Sequence, residues 1–594
     1  MIPQRLEKLR GLMAQRGIDA YIVPTSDFHE SEYVGDYFKA RKYMSGFTGS
    51  AGTLVVTAKE ACLWTDGRYF IQAANQLKDT TVTLMKMGEE GTPAIEDYLY
   101  NVVPAKGKLG FDGRVMTAAL GRALTERLAD KKAVLATGED LVGMIWEDRP
   151  ALSAEPAFLL DEKYTGKSTL QKLTDLRNQM KENGCTVHII TTLDDIAWLF
   201  NIRGNDVECN PVVLSYAVIG LDQAHFFVNP ACLNDEIREK LSADGVEIHG
   251  YDEMISFVKN LSADDVVLLD PQKVNYEIAS SICGKKVEKA NPTQLSKAIK
   301  NPVELENIRR AHIKDGVAFT KFMYWLKTNV GKIPMTEISA SDYLLARRAE
   351  QEGFIEPSFG TISAYKANAA MMHYSATEES NAALKPEGML LVDSGGQYYE
   401  GTTDITRTMV LGPITEEQKL HFTTVLRSNL NLANAQFLYG CIGMNLDILA
   451  RGPIWDLHLD YKCGTGHGIG YLLNVHEAPN GFRWKIVAER RDSAVFEEGM
   501  VPTDEPGIYI EGSHGIRTEN ELICRKGIKN GDGQFMYFEP VTYAPIDLDG
   551  VDPKYMTEKE RQTLNDYHAM VYGKLFDYLT DEEREWLKEY TRAI

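Results

Sequence analysis

The amino-acid sequence predicts two α/β units, over residues 1–155 and 156–297, followed by an α+β domain over residues 298–594. A similar order of helix, strand and Gly-rich turn occurs twice in the first half. Long amphipathic helices, and then strands among Gly-rich turns, fill the second half. A chain of 594 residues also exceeds the size of one hydrophobic core, so roughly two to four domains are expected.

The first unit begins with a predicted helix at 3–17 and a predicted strand at 20–23. A Gly-rich turn at 45–50 then leads into a further strand. The second unit repeats this order, with a helix at 168–183 ahead of a strand at 186–190. The repetition suggests two related α/β units whose strands are mostly parallel.

The third domain opens with two amphipathic helices, predicted at 302–330 and 335–352. Strand-like stretches follow at 388–393 and 406–411, separated by Gly-rich turns. This mixture predicts an α+β domain with a curved, mainly antiparallel sheet. The last fifty residues carry helix-start signals and are expected to form a helical extension.

Charge and composition limit the kinds of partner. A formal charge of -21 disfavours a nucleic acid or an anionic membrane as the main partner. No run of about 18 apolar residues is present, and the N-terminal segment lacks the apolar core of a signal peptide. The eight cysteines are scattered without a C-x-x-C pair, so a reducing, cytoplasmic location is expected.

Two aspartates in the third domain stand where a carboxylate is costly. Asp393 ends an apolar strand, and Asp404 lies eleven residues further on, across a Gly-rich turn. Neighbouring strands joined by such a turn would place both carboxylates on one face, where a bound cation relieves their repulsion. Read alone, each aspartate also fits an ordinary turn residue.

Three further candidates, His467, Glu505 and Glu519, sit close to glycines that allow the backbone to approach a ligand. With the two aspartates they offer four carboxylates and one imidazole, a set that favours manganese or cobalt over sulfur-bound zinc. Individually, His467 also fits a structural histidine, Glu505 a loop carboxylate, and Glu519 an ion-pair partner of Arg517.

Four further segments of the chain form a recognisable pattern together with these candidates. They are SGFTGSAG at 45–52, WTDGRYF at 64–70, NVHEAP at 474–479 and TDEPG at 503–507. With the five candidates in this order, the chain resembles aminopeptidase P, the X-Pro aminopeptidase of the creatinase, proline dipeptidase and methionine aminopeptidase superfamily. The similarity is best to the longer, three-domain, cytosolic form, and it extends over nearly the whole chain.

The resemblance implies two creatinase-like N-terminal domains ahead of a catalytic domain with the pita-bread fold. It also implies two divalent metal ions, most often Mn²⁺. Asp404 and Glu519 would bridge both ions, Asp393 would bind one, and His467 and Glu505 would bind the other. A water shared by two cations becomes hydroxide near neutral pH and attacks the scissile carbonyl.

The same resemblance assigns catalytic and substrate-binding roles. Glu505 would accept the proton of the water and pass it to the leaving nitrogen. His373 would contact the substrate near the scissile bond, and His476 would steady the tetrahedral oxyanion. Without the motifs, either histidine would fit a hydrogen-bonded core residue.

Three residues are expected around the ligands and the substrate. Arg517 would orient the metal-binding carboxylates without binding a metal itself. Cys463 stands four residues before His467, where relatives often carry histidine, so hydrogen bonding near the substrate and the pH profile are expected to differ. Arg68 would shape the substrate end, although a structural ion pair fits it equally.

The predicted activity is hydrolysis of the N-terminal Xaa-Pro bond of peptides. A proline dipeptidase restricted to Xaa-Pro dipeptides is the alternative from the same superfamily. A second alternative is a catalytically inactive pita-bread binding protein, although such proteins typically lose metal ligands. The family further implies a homodimer, and the sequence predicts no nucleic-acid or membrane partner.

Overall fold

The computed structural model describes residues 1–488 and 490–594. The chain forms two compact units, one made of residues 1–160 and 167–293 and the other of residues 161–166 and 294–594. Among the described residues, no helix has both the length and the apolar character needed to cross a bilayer.

The first half of the first unit is a six-stranded sheet with the order β4-β3-β2-β1-β5-β6. Its strands are β1 (Ala20–Pro24), β2 (Thr53–Thr57), β3 (Ala61–Thr65), β4 (Thr83–Lys86), β5 (Lys108–Gly110) and β6 (Val134–Ala136). Its helices are α1 (Ile2–Arg16), α2 (Ala40–Ser45), α3 (Phe70–Gln76), α4 (Ile95–Val102) and α5 (Ala118–Arg127). One core cluster lies between α1 and this sheet, and a second involves α4 and α5.

The second half contains another six-stranded sheet, with the order β12-β11-β10-β8-β13-β14, and a short β7–β9 pair. Its strands are β7 (Phe158–Leu159), β8 (Val187–Ile190), β9 (Ile202–Arg203), β10 (Ser215–Gly220), β11 (Ala224–Val228), β12 (Val246–Gly250), β13 (Val266–Leu269) and β14 (Lys285–Glu288). The helices from here to the start of the second unit are α6 (Glu162–Thr165, which belongs to the second unit), α7 (Thr169–Glu182), α8 (Leu193–Leu199), α9 (Asp235–Ala243), α10 (Met254–Lys259), α11 (Tyr276–Ser281) and α12 (Pro292–Ala298).

The two sheets repeat one topology. Counted within each sheet in chain order, the strands run 4-3-2-1-5-6 in both. Three of the five strand pairings are parallel in the first sheet, and three of five in the second. Two α/β units of related design, with mostly parallel strands, therefore agree with the sequence prediction.

The second unit contains the α+β domain. Its helices are α13 (Pro302–Asn329), α14 (Glu337–Ala349), α15 (Glu416–Ala433), α16 (Gly443–Trp455), α17 (Glu558–Leu575) and α18 (Asp581–Tyr590). Its strands are β15 (Phe354–Pro357), β16 (Ile362–Tyr365), β17 (Met389–Ser394), β18 (Gly396–Tyr398), β19 (Gly401–Thr402), β20 (Ile405–Val410), β21 (Gln436–Leu438), β22 (Gly466–Gly468), β23 (Glu477–Phe482), β24 (Thr503–Asp504), β25 (Gly507–Ile510), β26 (His514–Arg517), β27 (Asn520–Asn530) and β28 (Gly533–Pro540).

These strands pair antiparallel, as predicted, in small sheets such as β16-β17-β20 and β21-β28-β27-β24. Helices α13 and α14 cover the first of these sheets, because Phe322 and Leu326 share a core cluster with Leu390 and Met409. Burial of such apolar side chains is the main stabilising contribution here.

Local sequence fixes the helix ends. Asn301 caps α13 through a capping box with Glu304, and Pro302 occupies the first turn, where its missing N–H costs nothing. Thr557 and Thr580 start α17 and α18 with the same kind of box, as the sequence predicts. Helix α17 packs against the domain core through residues such as Leu564. The predicted domain boundaries at 155 and 297 stay predictions.

Candidate metal centre

Asp393 and Asp404 lie on adjoining strands. Asp393 belongs to β17 and pairs with Thr406 of β20, while Asp404 directly precedes β20. The hairpin of β18 and β19 fills the turn between them. Both aspartates are buried, with 7% and 4% of their surface exposed. The Gly-rich turn thus brings two buried carboxylates to one end of the sheet.

Glu505 and Glu519 are brought together by a second antiparallel pair. Asp504 of β24 pairs with Asn520 of β27, so Glu505, which follows β24, lies beside Glu519, which precedes β27. Thr406 of β20 links Glu519 to the strands that carry the aspartates. Its Oγ1 donates a 2.7 Å hydrogen bond to Glu519 Oε2, and its backbone pairs with Asp393.

His467 of β22 completes the cluster. Its Nε2 lies 3.6 Å from Asp404 Oδ2 and 3.5 Å from Glu505 Oε1. Its backbone N–H donates to Thr503 Oγ1 at 3.0 Å. Gly466 permits this close approach, because a Cβ there would lie 2.0 Å from the Thr503 carbonyl oxygen.

The tautomer of His467 suits a metal ligand. Its Nδ1 lies 3.0 Å from the Gly468 carbonyl oxygen, so Nδ1–H donates there and Nε2 keeps its lone pair for the carboxylate cluster. One potential ligand atom from each of Asp404, His467 and Glu519 lies within 4.8 Å of the others.

The cluster is electrostatically costly without a cation. Burial, and then the charges of neighbouring carboxylates, raise the pKa of Asp404 and of Glu519 well above their usual values. Burial raises the pKa of Glu505 to about 7. Within the described chain, Asp393 Oδ1, Asp404 Oδ1 and Glu519 Oε1 are buried without a hydrogen-bond donor. These oxygen and nitrogen donors fit hard or borderline divalent cations.

Arg517 supports two of the carboxylates. Its Nη2 donates to Asp393 Oδ2 at 2.5 Å, and its Nε lies 3.2 Å from Thr406 Oγ1, which in turn donates to Glu519. Its Nη1 donates to the Tyr509 hydroxyl at 2.6 Å. The guanidinium therefore contacts side chains on two sides of the cluster, and its role in orienting metal ligands stays a prediction.

Two contributors were missed by the sequence analysis. The backbone N–H of Asp404 donates to Glu521 Oε1 at 2.7 Å, and Glu521 Oε2 lies 3.0 Å from His312 Nε2 of α13. Both side chains are 0% exposed. The spacing of Glu521, two residues after Glu519 beside an apolar strand, is the one sequence signal for it.

His476 lies beside the cluster, and the segment that carries His373 lies beside Arg517. The His476 ring lies 4.2 Å from the His467 ring, centroid to centroid, at an angle of 82°. His373 is half-buried in the segment after β16, and the carbonyl oxygen of Met372 next to it lies 3.5 Å from Arg517 Nη2. The structure thus places the His373 segment beside the residue that holds Asp393.

Cys463 is half-buried and packs against the core cluster around α15 and α17. Its backbone carbonyl accepts a 3.1 Å hydrogen bond from Arg451 Nη2. Burial raises the pKa of the Cys463 thiol to about 12, and the nearby Glu505 adds to the shift. The side chain is thus a neutral thiol at physiological pH.

Arg68 lies in the first compact unit. Its guanidinium forms a two-point ion pair with Asp66, at 2.9 and 2.8 Å. The alternative reading of Arg68, a structural ion pair, agrees with this geometry, and its substrate role stays a prediction.

Comparison with known proteins agrees with this arrangement. Two models of the Creatinase/Prolidase N-terminal domain match residues 5–145 and 148–304. The Metallopeptidase family M24 model matches residues 306–526, and the model of the C-terminal region of peptidase M24 matches 534–594. Aminopeptidase P1 of Arabidopsis thaliana is 36% identical to the chain, over 99% of each sequence. The chain belongs to the aminopeptidase P family.

Other members of the family are similarly close. A probable Xaa-Pro aminopeptidase P of Talaromyces marneffei is 38% identical, over 100% of this chain and 92% of its own. The crystal structure of X-prolyl aminopeptidase from Caenorhabditis elegans, described as a cytosolic enzyme with a di-nuclear active site, matches with a TM-score of 0.95. That match has 35% identity and covers 100% of both chains. The predicted fold class, creatinase-like domains ahead of a pita-bread catalytic domain, is confirmed.

Proposed function

We propose that this aminopeptidase P family member is a metal-dependent hydrolase that releases the first residue from peptides with proline in second position. Relatives that cover the whole chain are named for this activity. The observation that carries the proposal is the convergence of Asp404, His467 and Glu519, with ligand atoms within 4.8 Å, beside Glu505.

The cofactor of this proposal is a pair of divalent cations, most suitably Mn²⁺. Asp393, Asp404, His467, Glu505 and Glu519 would hold the pair. The orphaned oxygens of the buried carboxylates support this assignment, since a cation would satisfy them. When bound, two such cations activate water and polarise a peptide carbonyl.

The side chains around the metals supply proton transfer and positioning. Glu505 is a carboxylate at the cluster, with Oε1 3.5 Å from His467 Nε2, so it is placed to exchange a proton with a water held there. Glu505 would take the proton of the attacking water and deliver it to the leaving proline nitrogen. His476, beside His467, would donate to the developing oxyanion, and His373 would hold the substrate on the Arg517 side.

A proline dipeptidase and a catalytically inactive binding protein are the competing functions. Purified protein loaded with Mn²⁺ is to be assayed on Gly-Pro and on the tripeptide Arg-Pro-Pro, before and after chelation. Cleavage of the tripeptide that chelation abolishes supports the aminopeptidase. Cleavage of Gly-Pro alone indicates the dipeptidase, and no cleavage of either peptide indicates a binding protein.

A homodimer is proposed as the assembly, with the catalytic domain as its contact. Helix α16 exposes Met444, Ile448 and Trp455 on its surface, and Trp484 lies near Trp455 with ring centroids 6.2 Å apart. An apolar patch of this kind is typical of a protein interface. Light scattering on Trp484→Arg should give a monomer, whereas Tyr578→Arg, an exposed aromatic in the helical extension, should stay dimeric. A dimeric Trp484→Arg variant contradicts this contact.

A cytoplasmic location is proposed as well. All eight cysteines are free thiols, as expected in a reducing compartment, and the Caenorhabditis elegans relative is described as cytosolic. The net charge of -21 disfavours nucleic acids and anionic membranes as partners. Fractionation of cells that express the tagged chain tests this, and recovery with organelles or membranes would contradict it.

A further inference from the structure

A second cluster of metal-binding side chains lies in the first compact unit, away from the residues discussed above in sequence. It is formed by His225 of β11 with Glu247 and His249 of the edge strand β12. The two strands pair in parallel, with His225 opposite Glu247 and Phe227 opposite His249. Because alternate residues of a strand share a face, all three polar side chains project from the same side of the sheet.

The donor atoms are spaced as metal ligands are. His225 Nδ1 lies 3.0 Å from His249 Nε2 and 3.4 Å from Glu247 Oε2, and His249 Nε2 lies 3.9 Å from Glu247 Oε1. Tetrahedral coordination with bonds of about 2.1 Å separates neighbouring donors by about 3.4 Å. The three distances lie around that value, so small side-chain rotations suffice for binding.

The surroundings hold the imidazoles in place. The second nitrogen of His249, Nδ1, lies 3.8 Å from Glu253 Oε2, which is too far for a hydrogen bond but places a negative charge beside this imidazole. The His249 ring stacks on Phe227 at 4.8 Å, and the His225 ring contacts Phe257 of α10 at 4.7 Å.

Access also suits a cation. The Glu247 side chain is 63% exposed, whereas those of His225 and His249 are 13% and 17% exposed, so the site opens to solvent on the carboxylate side.

We propose that His225, Glu247 and His249 form a further metal site, separate from the candidate catalytic centre, that binds a borderline transition metal such as Zn²⁺. Two imidazoles and one carboxylate are ligands that zinc accepts, with water in the fourth position. A metal there links the edge strand β12 to β11 and stabilises the second α/β sheet. Hydrogen bonding between the two imidazoles is the competing explanation of their contact, and it requires no metal.

Zinc binding to the full-length protein distinguishes the two explanations. Purified chain is to be titrated with Zn²⁺ against a chromophoric chelator, and bound zinc counted by mass spectrometry after desalting. Glu247→Gln and His249→Gln should each lower the zinc affinity of one site at least tenfold. After desalting, each variant should retain up to one zinc ion per chain fewer than the unmodified protein. Glu236→Gln, which removes an exposed carboxylate of α9, should bind zinc as the unmodified protein does.

The candidate catalytic centre also binds metal under this account, so the variants are combined to separate the sites. Asp404→Ala together with Glu247→Gln should lose the sum of the two single losses, because each replacement removes a ligand from a different site. Glu247 is exposed, so its replacement is expected to fold even where that of His249 does not. Zinc stoichiometry and affinity unchanged in Glu247→Gln would overturn the proposal and leave the imidazole hydrogen bond as the explanation.

Discussion

Arg517 holds Asp393 through a 2.5 Å hydrogen bond from Nη2 to Oδ2, and the other oxygen of that carboxylate is buried without a donor in the described chain. One guanidinium thus compensates part of the negative charge of the cluster and fixes the direction of the remaining oxygen. The same side chain contacts Thr406, which binds Glu519. Arg517 is therefore placed to orient Asp393 on β17 and, through Thr406, Glu519 beside β27, and this positioning role is a prediction.

Replacement of Arg517 by lysine should weaken Mn²⁺ binding by about 10–100-fold, because lysine cannot contact Asp393, Thr406 and Tyr509 at once. Calorimetric titration with Mn²⁺ measures this. Arg525→Lys is the matched control, since Arg525 is half-buried on β27 and only loosely paired with Glu539 at 3.7 Å. An unchanged Mn²⁺ affinity in Arg517→Lys would refute the positioning role.

Lys300→Met should destabilise the protein by about 3 kcal/mol and lower kcat. Lys297 and Lys300 both bind Glu477, the residue after His476, and all three side chains are buried. Loss of one lysine leaves part of the Glu477 charge uncompensated. It also removes one of the ion pairs that hold the segment containing His476 in place. Thermal unfolding and steady-state kinetics measure both effects, with Lys526→Met, a surface lysine, as the control. Equal thermal midpoints for the two variants would contradict this prediction.

Cys463→Ser should keep kcat within about threefold of the unmodified enzyme. Because burial raises the pKa of the thiol to about 12, the thiolate nucleophile is scarce at neutral pH. Assays with an Xaa-Pro tripeptide across pH 6–9 test this. If the variant lost activity by more than about a hundredfold while retaining its metals, Cys463 would have a direct catalytic role.

His568 should make the protein acid-sensitive below pH 6.5. Its Nε2 accepts a 3.1 Å hydrogen bond from the Ile546 backbone N–H, and burial lowers its pKa from 6.5 to about 3. Below pH 6.5 the unfolded chain therefore binds a proton at His568 that the folded chain does not bind. The contribution of the neutral histidine to the free energy of unfolding is complete above pH 6.5 and is lost as the pH falls towards 3. By pH 5 this costs about 2 kcal/mol.

The measurement for His568 is thermal unfolding at pH 7 and pH 5. His568→Gln keeps an acceptor for Ile546 but does not titrate, so its thermal midpoint should fall less between the two pH values. Equal decreases in the variant and the unmodified protein would show that His568 does not cause the acid sensitivity.

Much of the catalytic domain could be predicted because its signals are local. The eleven-residue separation of Asp393 and Asp404, with glycines between them, predicts two adjoining strands. The structure contains these strands as β17 and β20, which pair with each other. Asn301 and Thr557 mark helix starts through hydrogen bonds made within three residues. Such contacts are encoded in short segments, so a single sequence reveals them.

Other features depend on residues distant in sequence. Glu521 supports Asp404 from 117 positions away, and His312 reaches Glu521 from α13. Apart from the spacing of Glu521 from Glu519, nothing in the local sequence marks these residues as partners, because burial and pairing arise only when the strands and the helix pack. The pairing of His225 with Glu247 and His249 was missed for the same reason, since it depends on the register of β11 and β12.

The two-metal proposal is tested most directly by metal content measured together with activity in the unmodified protein and in Asp404→Ala. The unmodified protein should contain about two metal ions per chain and cleave Arg-Pro-Pro in a Mn²⁺-dependent reaction. Zinc bound at the His225 cluster is counted separately, because mass spectrometry distinguishes zinc from manganese. Asp404→Ala should lose metal at the catalytic centre and at least about a thousandfold in kcat, because Asp404 would be one of the buried carboxylates that hold the ions. Full activity in Asp404→Ala would contradict the two-metal mechanism.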